Sequence, residues 1–352
     1  RTISVELGRD SYDVVVGEGA LDELGPRVAT MGAKRVAIIT DSHVSDIAKT
    51  KVEPLLAEHL PTHRIELPAG ENSKSLASAS EIYERLLDLE MRRDDLVVTI
   101  GGGMIGDLGG FVASTFQRGV QLVHVPTTLL AQVDAAIGGK TAVNLARGKN
   151  LVGTFYQPAL VVCDTSLLVT LPDRQFRSGA AEVVKYALTF GGGLLDRLRS
   201  DPWPPSGLEL DETVALCVDA KARVVSGDRA DRGERLFLNY GHTLGHAIEA
   251  AGGYERWTHG EAIALGMVFA SGVSHAMGLV GEDVVQLHRH LLEKVGLPVR
   301  DEIPRLQTES AMTLDKKHAQ RQRWVLLGGV GRPVIRDDVP DPAIEAGFEA
   351  IS

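Results

Sequence analysis

The stretch DDLVVTIGGGMIGDLGGF (94–111) limits the fold more than any other part of the chain. Its first half, 94–100, is a β-branched run, LVVTI, behind Asp94 and Asp95, with no regular polar alternation. Such a strand is buried on both faces, which requires a parallel sheet with helices on either side. The run passes directly into glycines and then into a helical pattern. Gly101, Gly103 and Gly106 satisfy GxGxxG in the strand-to-helix context that gives the motif meaning. Bare glycines let a pyrophosphate approach the backbone N–H groups of a helix N-terminus. The acidic residue usual about 20 positions later is absent, so Asp41, which ends an earlier strand, is the candidate for the ribose hydroxyls. The competing reading is a tight strand–helix turn, and the density of glycines favours the nucleotide. A phosphate loop at GGKT (138–141) is excluded, because Asp134 stands where that motif needs glycine.

Strand signals recur at 12–17, 35–41, 121–128 and 159–165, with a helical period over 78–91. They predict an α/β N-terminal domain with a mostly parallel sheet, residues 1–171. Beyond Leu171-Pro172-Asp173 the pattern turns helical, over 174–199, 211–227, 240–251, 259–278 and 282–295. The proline-rich 201–207 reads as a loop, and RWVLLGG with RPVIRDD reads as a small hairpin. Residues 172–352 are thus expected to form a mainly α-helical C-terminal domain.

A chain of 352 residues has room for both domains and a sizeable core. Its net charge of −10 argues against non-specific binding to nucleic acid or anionic membrane. An anionic substrate would therefore need a local cationic pocket. Cys163 and Cys217 are the only cysteines, too few for a disulfide scaffold or a thiolate zinc site. No apolar run reaches membrane-spanning length and RTISVELGRD has no signal-peptide character, so a cytoplasmic protein is expected.

NYGHTLGHAIE (239–249) places His242 and His246 one helical turn apart. The glutamate of HExxH is missing, since Thr243 occupies its position. His259 opens a later helix and Glu182 sits on the first helix of the second domain. A catalytic zinc takes three protein ligands, which leaves one candidate too many among Glu182, His242, His246 and His259. Spacing alone favours His242 and His246 together; the alternative is a pair of ordinary helix histidines. His288 and His290 read as surface residues. Arg118, Lys140, Lys149, Lys185, Lys221, Arg235, Lys316 and Lys317 lie in or near these motifs, and as a group they suit a phosphate- or carboxylate-bearing substrate.

The segments GGGMIGDLGGFVASTFQRGV, HVPTTLLAQVDAAIGGKTAVN, GKNLVGTFYQP, AAEVVKYAL, LNYGHTLGHAIE, HGEAIALGM and LDKKH occur in an order that resembles the 3-dehydroquinate synthases, within the sugar phosphate cyclases. The resemblance spans nearly the whole chain. It implies conversion of 3-deoxy-D-arabino-heptulosonate 7-phosphate, a small phosphorylated sugar acid, to 3-dehydroquinate and phosphate. Catalytic NAD and a divalent metal, zinc or cobalt, are implied with it. It also implies Glu182, His242 and His259 as metal ligands, with His246 turned towards substrate. Asp134, Lys140, Asn150, Lys185, Lys221, Arg235, Asn239, His246 and Lys317 would line the substrate pocket, with Lys149 and Lys316 beside it. For NAD the matching positions are Asp41, Glu71, Lys74, Gly103, Asp107, Thr127, Thr128 and Thr170, with Lys140 and Lys149 close by. Arg118 matches an arginine that reaches a neighbouring subunit's phosphate site, which implies a homodimer.

In the implied chemistry, oxidation at C5 acidifies the adjacent C–H, phosphate is eliminated, the ketone is reduced again and an aldol step closes the ring. The chain departs from the family pattern at Arg229 and in the glycine-free stretch after Lys317, which bears on the exact substrate. The other readings are a paralogous cyclase of secondary metabolism, such as an amino-dehydroquinate or 2-deoxy-scyllo-inosose synthase, a metal-dependent alcohol dehydrogenase, and a nucleotide-binding regulator without catalysis.

Overall fold

The structure, a computed structural model, describes residues 1–146, 148–229, 233–318 and 323–352, the side chains of 313–318 excepted. It contains two compact units: Arg1–Leu171 with Ser206–Ser226, and Pro172–Pro205 with Gly227–Ser352.

The strands of the first unit are β1 (Thr2–Val5), β2 (Tyr12–Val16), β3 (Val36–Asp41), β4 (Thr62–Leu67), β5 (Leu96–Gly101), β6 (Gln121–Pro126), β7 (Lys140–Leu145), β8 (Gly148–Phe155) and β9 (Leu160–Cys163). Its helices include α1 (Leu24–Ala29), α2 (Ser45–Ile47), α3 (Glu53–Ala57), α4 (Leu76–Asp88) and α5 (Gly103–Thr115). The main sheet has the order β1-β2-β9-β6-β5-β3-β4, parallel except for the β1–β2 pair. β3 and β5 are buried along their whole length, as expected of the mainly apolar, β-branched runs VAIIT and LVVTI. β4 lies on one side of β3 and β5 on the other, so the strand order reverses there. The carboxyl ends at such a reversal form the crevice where open α/β sheets bind ligands. Asp41 ends β3 and Gly101 ends β5. The segments around GGKTAVN and RGKNLVG, read only as lysine-bearing stretches, form the antiparallel β7–β8 hairpin.

In the second unit, α6 (Asp173–Phe190) ends where Gly191 and Gly192 adopt left-handed φ values of 65° and 69°. The single helix expected over 174–199 is therefore two, α6 and α7 (Gly193–Ser200). Only glycine accepts two such residues in succession cheaply. α8 (Gly207–Gly227) packs with the first unit as far as Ser226. Then follow α9 (His242–Ala251), α10 (His259–Ala276), α11 (Glu282–Lys294), α12 (Arg305–His318), the hairpin β10 (Trp324–Leu327) with β11 (Pro333–Arg336), and α13 (Asp341–Ile351). No helix among the described residues is long and apolar enough to cross a membrane.

α10 is the centre of this unit, buried from Gly260 to Ser274 except for Glu261. It meets its neighbours backbone to backbone. A Cβ at Gly266 would lie 1.9 Å from the carbonyl oxygen of Gly241, and one at Gly260 would lie 2.1 Å from that of Ser178. The Gly260 N–H donates to Ser178 Oγ at 2.9 Å. These two contacts fix the start of α10 against α6 and the start of α9 against α10. Those are the positions of His259, of Glu182 (one turn beyond Ser178) and of His242.

His288 is buried on α11, not at the surface as its pairing with His290 suggested. It continues the apolar stripe of Val285, Leu291 and Leu292 at helical spacing. Its Nδ1–H donates to the Val284 carbonyl and its Nε2 accepts from the Tyr240 hydroxyl, both at 2.7 Å. His290, nearly opposite on the helix, is exposed.

Gly266→Ala is expected to destabilise the fold by about 3 kcal/mol in urea unfolding, because the methyl group cannot be placed without parting two helices. Gly193→Ala, where a Cβ meets nothing within 4 Å, should be close to neutral. Burial holds both His124 and His288 down at about 4. These folded values lie below the unfolded value of about 6.5. The stabilisation is then complete above pH 6.5 and is lost as pH falls from there towards 4. Each histidine should contribute on the order of 3 kcal/mol of acid sensitivity, and His288→Gln should flatten the pH slope of urea stability across that window.

Candidate functional site

The three side chains that converge in the second unit come from three helices. Glu182 lies within α6 and is fully buried. His242 is the first residue of α9, following Gly241, whose φ is 79°. His259 is the first residue of α10. There Thr258 and Glu261 form a reciprocal capping box, and Arg174 pairs with the same glutamate at 2.8 Å. The TxxE signature in WTHGEA thus sets the turn that presents His259.

The Oε1 atom of Glu182 is 3.6 Å from His242 Nε2 and 3.5 Å from His259 Nε2. These distances are long for hydrogen bonds. They suit a shared ion: two donors each about 2.0–2.1 Å from a tetrahedral zinc are about 3.3 Å apart. The remaining atoms of all three groups are engaged elsewhere. Oε2 of Glu182 pairs with the buried ammonium of Lys185, which also donates to the Leu238 carbonyl at 2.7 Å. His242 Nδ1–H donates to the Tyr240 carbonyl at 3.1 Å, and His259 Nδ1–H to Glu249 Oε2 at 3.3 Å. Both imidazoles are thereby held with Nε2 free to act as donor to a metal.

The electrostatics agree. Burial first, and the Lys185 ammonium second, hold His242 well below its ordinary value, so it is neutral as a ligand must be. Burial opposes charge on His259 too, but Glu182 and Glu249 outweigh it and push that imidazole up to about 10. The position is one that favours positive charge: without an ion His259 is protonated near neutral pH, and a bound metal would have to displace that proton. The donor set, one carboxylate and two imidazoles, fits a catalytic zinc or cobalt with an open position.

His246 is exposed one turn along α9, its ring 5.2 Å from that of His242 and 6.2 Å from that of His259. It does not join the first group; with Glu249 and His259 it forms a second set of possible ligands. Among the described residues these are the two such groups. Arg235 is buried, its backbone N–H donating to Asp228 at 3.2 Å and its guanidinium to the Arg229 carbonyl at 3.3 Å. That contact uses the main chain of 229, so it does not depend on the departure there. Asn239 ends the short helix Glu234–Asn239, three residues before His242. Lys316 and Lys317 belong to α12, and their side chains lie outside the described residues.

In the first unit, Asp41 is buried at the end of β3 and accepts from the His43 N–H at 2.8 Å. Thr127 and Thr128 follow β6. Thr127 Oγ1 is buried with no hydrogen-bond partner among the described residues, the kind of group a bound ligand satisfies. A Cβ at Gly103 would meet Ala135 at an ordinary 3.4 Å, and one at Gly106 nothing closer than the His124 ring at 4.0 Å. Packing therefore does not demand glycine at either place, and the tight-turn reading leaves both unexplained. Room for a pyrophosphate would account for them.

Lys74 is buried and donates to Asp107 Oδ2 and Asn150 Oδ1, both at 2.5 Å. Glu71 accepts from Asn144 Nδ2 at 2.7 Å, and Asn144 Oδ1 accepts from the Asn150 N–H at 3.0 Å. Asn150 itself has a φ of 58°. Asn144, which sequence reasoning passed over, thus ties the expected Glu71, Lys74, Asp107 and Asn150 into one network. Lys221 is buried and donates to the Asp134 carbonyl at 2.6 Å and carboxylate at 2.7 Å. Lys140 opens β7 and Lys149 lies on β8, while Thr170 closes the short helix Thr165–Thr170 after β9. Arg118 sits in an exposed turn where it and Gln117 have φ values of 61° and 49°.

Family models for the 3-dehydroquinate synthase N-terminal and C-terminal regions match residues 64–178 and 179–318. The chain is 43% identical to 3-dehydroquinate synthase of Bradyrhizobium diazoefficiens, covering 97% of this chain and 93% of that one. It is 42% identical to the enzyme of that name from Acidithiobacillus ferrooxidans, over 99% of this chain and 98% of that one. Among solved structures, 2-deoxy-scyllo-inosose synthase complexed with carbaglucose-6-phosphate, NAD+ and Co2+ superposes with a TM-score of 0.89 at 30% identity, covering 99% of this chain and all of that one, 100%. A 2-epi-5-epi-valiolone synthase from Streptomyces hygroscopicus subsp. jinggangensis 5008, with NAD+ and Zn2+ bound, gives 0.87 at 27% identity, over 100% of this chain and 99% of that one. With both regions matched in order and relatives above 40% identity along nearly the full length, the chain belongs to the 3-dehydroquinate synthase family.

Proposed function

We propose that this chain converts 3-deoxy-D-arabino-heptulosonate 7-phosphate to 3-dehydroquinate and inorganic phosphate. The observation that carries the reading is the approach of two imidazole Nε2 atoms to one oxygen of a buried carboxylate, at 3.5 and 3.6 Å. Glu182, His242 and His259 would hold zinc or cobalt, which when bound would supply Lewis acidity to a substrate oxygen. Asp41, Glu71, Lys74, Gly103, Asp107, Thr127, Thr128 and Thr170 would hold NAD, which when bound would supply reversible hydride transfer.

The chain's own groups have separable tasks. Lys185 fixes one oxygen of Glu182 and so aims the other at the ion. Arg235, buried and planar, suits a substrate carboxylate. Asn239 and the exposed His246 offer hydrogen bonds to substrate hydroxyls within the second unit. Asp134, Lys140, Lys149, Asn150 and Lys221, which belong to the first unit, and Lys317 are assigned to substrate by their match to the family motifs. Arg118, held in a left-handed conformation that non-glycine residues seldom adopt, would serve the phosphate site of a partner copy. That makes the enzyme a homodimer, and its buried free cysteines suit the reducing cytoplasm. Residues 1–171 would form the NAD-binding part and 172–352 the metal- and substrate-binding part, except that Ser206–Ser226, which carries Lys221, belongs to the first unit.

Superposition alone does not choose among the cyclases. Identity does: it is 41–43% to curated 3-dehydroquinate synthases and 30–31% to solved 2-deoxy-scyllo-inosose synthases. A phosphate-release assay with the heptulosonate phosphate, followed by identification of the product, tests the reading. Phosphate should appear with no net rise in nicotinamide absorbance; a steady rise would make the enzyme a dehydrogenase instead. His242→Ala should lose both metal and activity. His246→Ala should keep its metal and lose about 100-fold in kcat, and equal metal loss in the two variants would contradict these roles. Lys140→Ala should raise the KM for substrate and leave NAD affinity, measured by fluorescence titration, as in the parent.

A further inference from the structure

The two imidazoles that face Glu182 are oriented by unlike partners. The Nδ1–H of His242 meets a neutral acceptor, the Tyr240 carbonyl, at 3.1 Å. That of His259 meets a carboxylate, Glu249 Oε2, at 3.3 Å. Glu249 is itself buried, two turns along α9 from His242, and a carboxylate is put in such a place at a cost that needs a return. The charges around the cluster show what the return is. Glu182 contributes one negative charge, and the buried Lys185 ammonium against its other oxygen offsets it. Without Glu249 a dication would therefore enter a pocket of nearly zero net charge.

We propose that Glu249 is a positioning residue for the metal centre: it holds His259 with Nε2 directed at the ion and supplies the negative charge that makes the pocket attractive to a divalent cation. This rests on the metal-site reading above. Glu249 could instead be a direct ligand, since it also forms a group with His246 and His259. Yet the hydrogen bond it accepts from His259 occupies the side of that ring away from Glu182, and each imidazole has one nitrogen to give. Glu249 thus acts through His259. The motif NYGHTLGHAIE accordingly holds three working side chains on one face of α9, at 242, 246 and 249, spaced by one turn each.

The test uses the full-length protein stripped with a chelator. Zinc affinity is measured in competition with a chromophoric chelator, and the visible spectrum is recorded after cobalt is added, for the parent, Glu249→Gln, Glu249→Ala and His242→Ala. Thermal melting of the stripped proteins separates folding from metal binding. Zinc affinity should fall about 10-fold in Glu249→Gln, which keeps an acceptor but loses the charge, and towards about 100-fold in Glu249→Ala. The stripped Glu249→Gln protein should melt with the parent, and its cobalt spectrum should keep the parent's band pattern, since a second-sphere change leaves the ligand set intact. Parent-like zinc affinity in Glu249→Gln and Glu249→Ala, while His242→Ala has lost the metal, would overturn the proposal. A collapse of the cobalt bands in Glu249→Gln would overturn it too, by making Glu249 a ligand. Should Glu249→Ala fail to fold, the isosteric Glu249→Gln decides alone. Retention of zinc by His242→Ala would instead sink the metal-site reading on which this one stands.

Discussion

A carboxylate with no solvent exposure is costly to keep ionised unless something of opposite charge is brought to it. Glu182 is such a group, and the second unit is arranged around its compensation. Lys185, one turn along the same helix, takes one oxygen. The other faces two imidazoles at distances too long for good hydrogen bonds and close to those between two ligands of one ion. A divalent cation would complete the balance; burial and then Lys185 keep His242 neutral, whereas Glu182 and Glu249, outweighing burial, make the His259 position favour positive charge.

That convergence depends on how closely three helices approach. Two of the proposed ligands stand at the first residue of a helix, where the chain direction has just changed and small shifts of the helix axis move the side chain directly. Gly260 and Gly266 remove the Cβ atoms that would hold α10 away from α6 and α9. The capping box at Thr258 and the left-handed Gly241 then set the two helix starts. The outer shell continues the ordering: Tyr240 gives its carbonyl to His242 and its hydroxyl to His288, which is anchored in turn on Val284. Neutral imidazole, phenol and backbone form a buried chain in which each donor has an acceptor, the condition under which such networks rigidify a site.

Local features of the sequence were the legible ones. β3 and β5 are mainly apolar, β-branched runs and could hardly be anything but buried strands. The glycine turn after β5 was visible as a nucleotide signal, although only the structure separates the glycines that packing leaves unexplained, 103 and 106, from their neighbours. Family-specific motifs gave the remainder of the candidate site. Spacing by itself could not choose among Glu182, His242, His246 and His259, because it reports only neighbours along one helix, whereas the approach of 182 to 242 and 259 is made by packing between helices. His288 was misread for a related reason: compared only with His290 it seemed a surface residue, but compared with Val285, Leu291 and Leu292 it falls on the buried stripe. The break at Gly191-Gly192 was legible and was passed over. Asn144 and Glu249 were not singled out, since their partners lie far away in sequence or across a helix crossing.

The most direct test of the account is anomalous diffraction at the zinc edge from crystals of the zinc-loaded protein. A single strong peak should lie about 2.0–2.1 Å from one oxygen of Glu182 and from the Nε2 atoms of His242 and His259, with Glu249 outside bonding distance on the far side of the His259 ring. A peak bound by His246 and Glu249 in place of Glu182 and His242, or no peak in this unit, would contradict it.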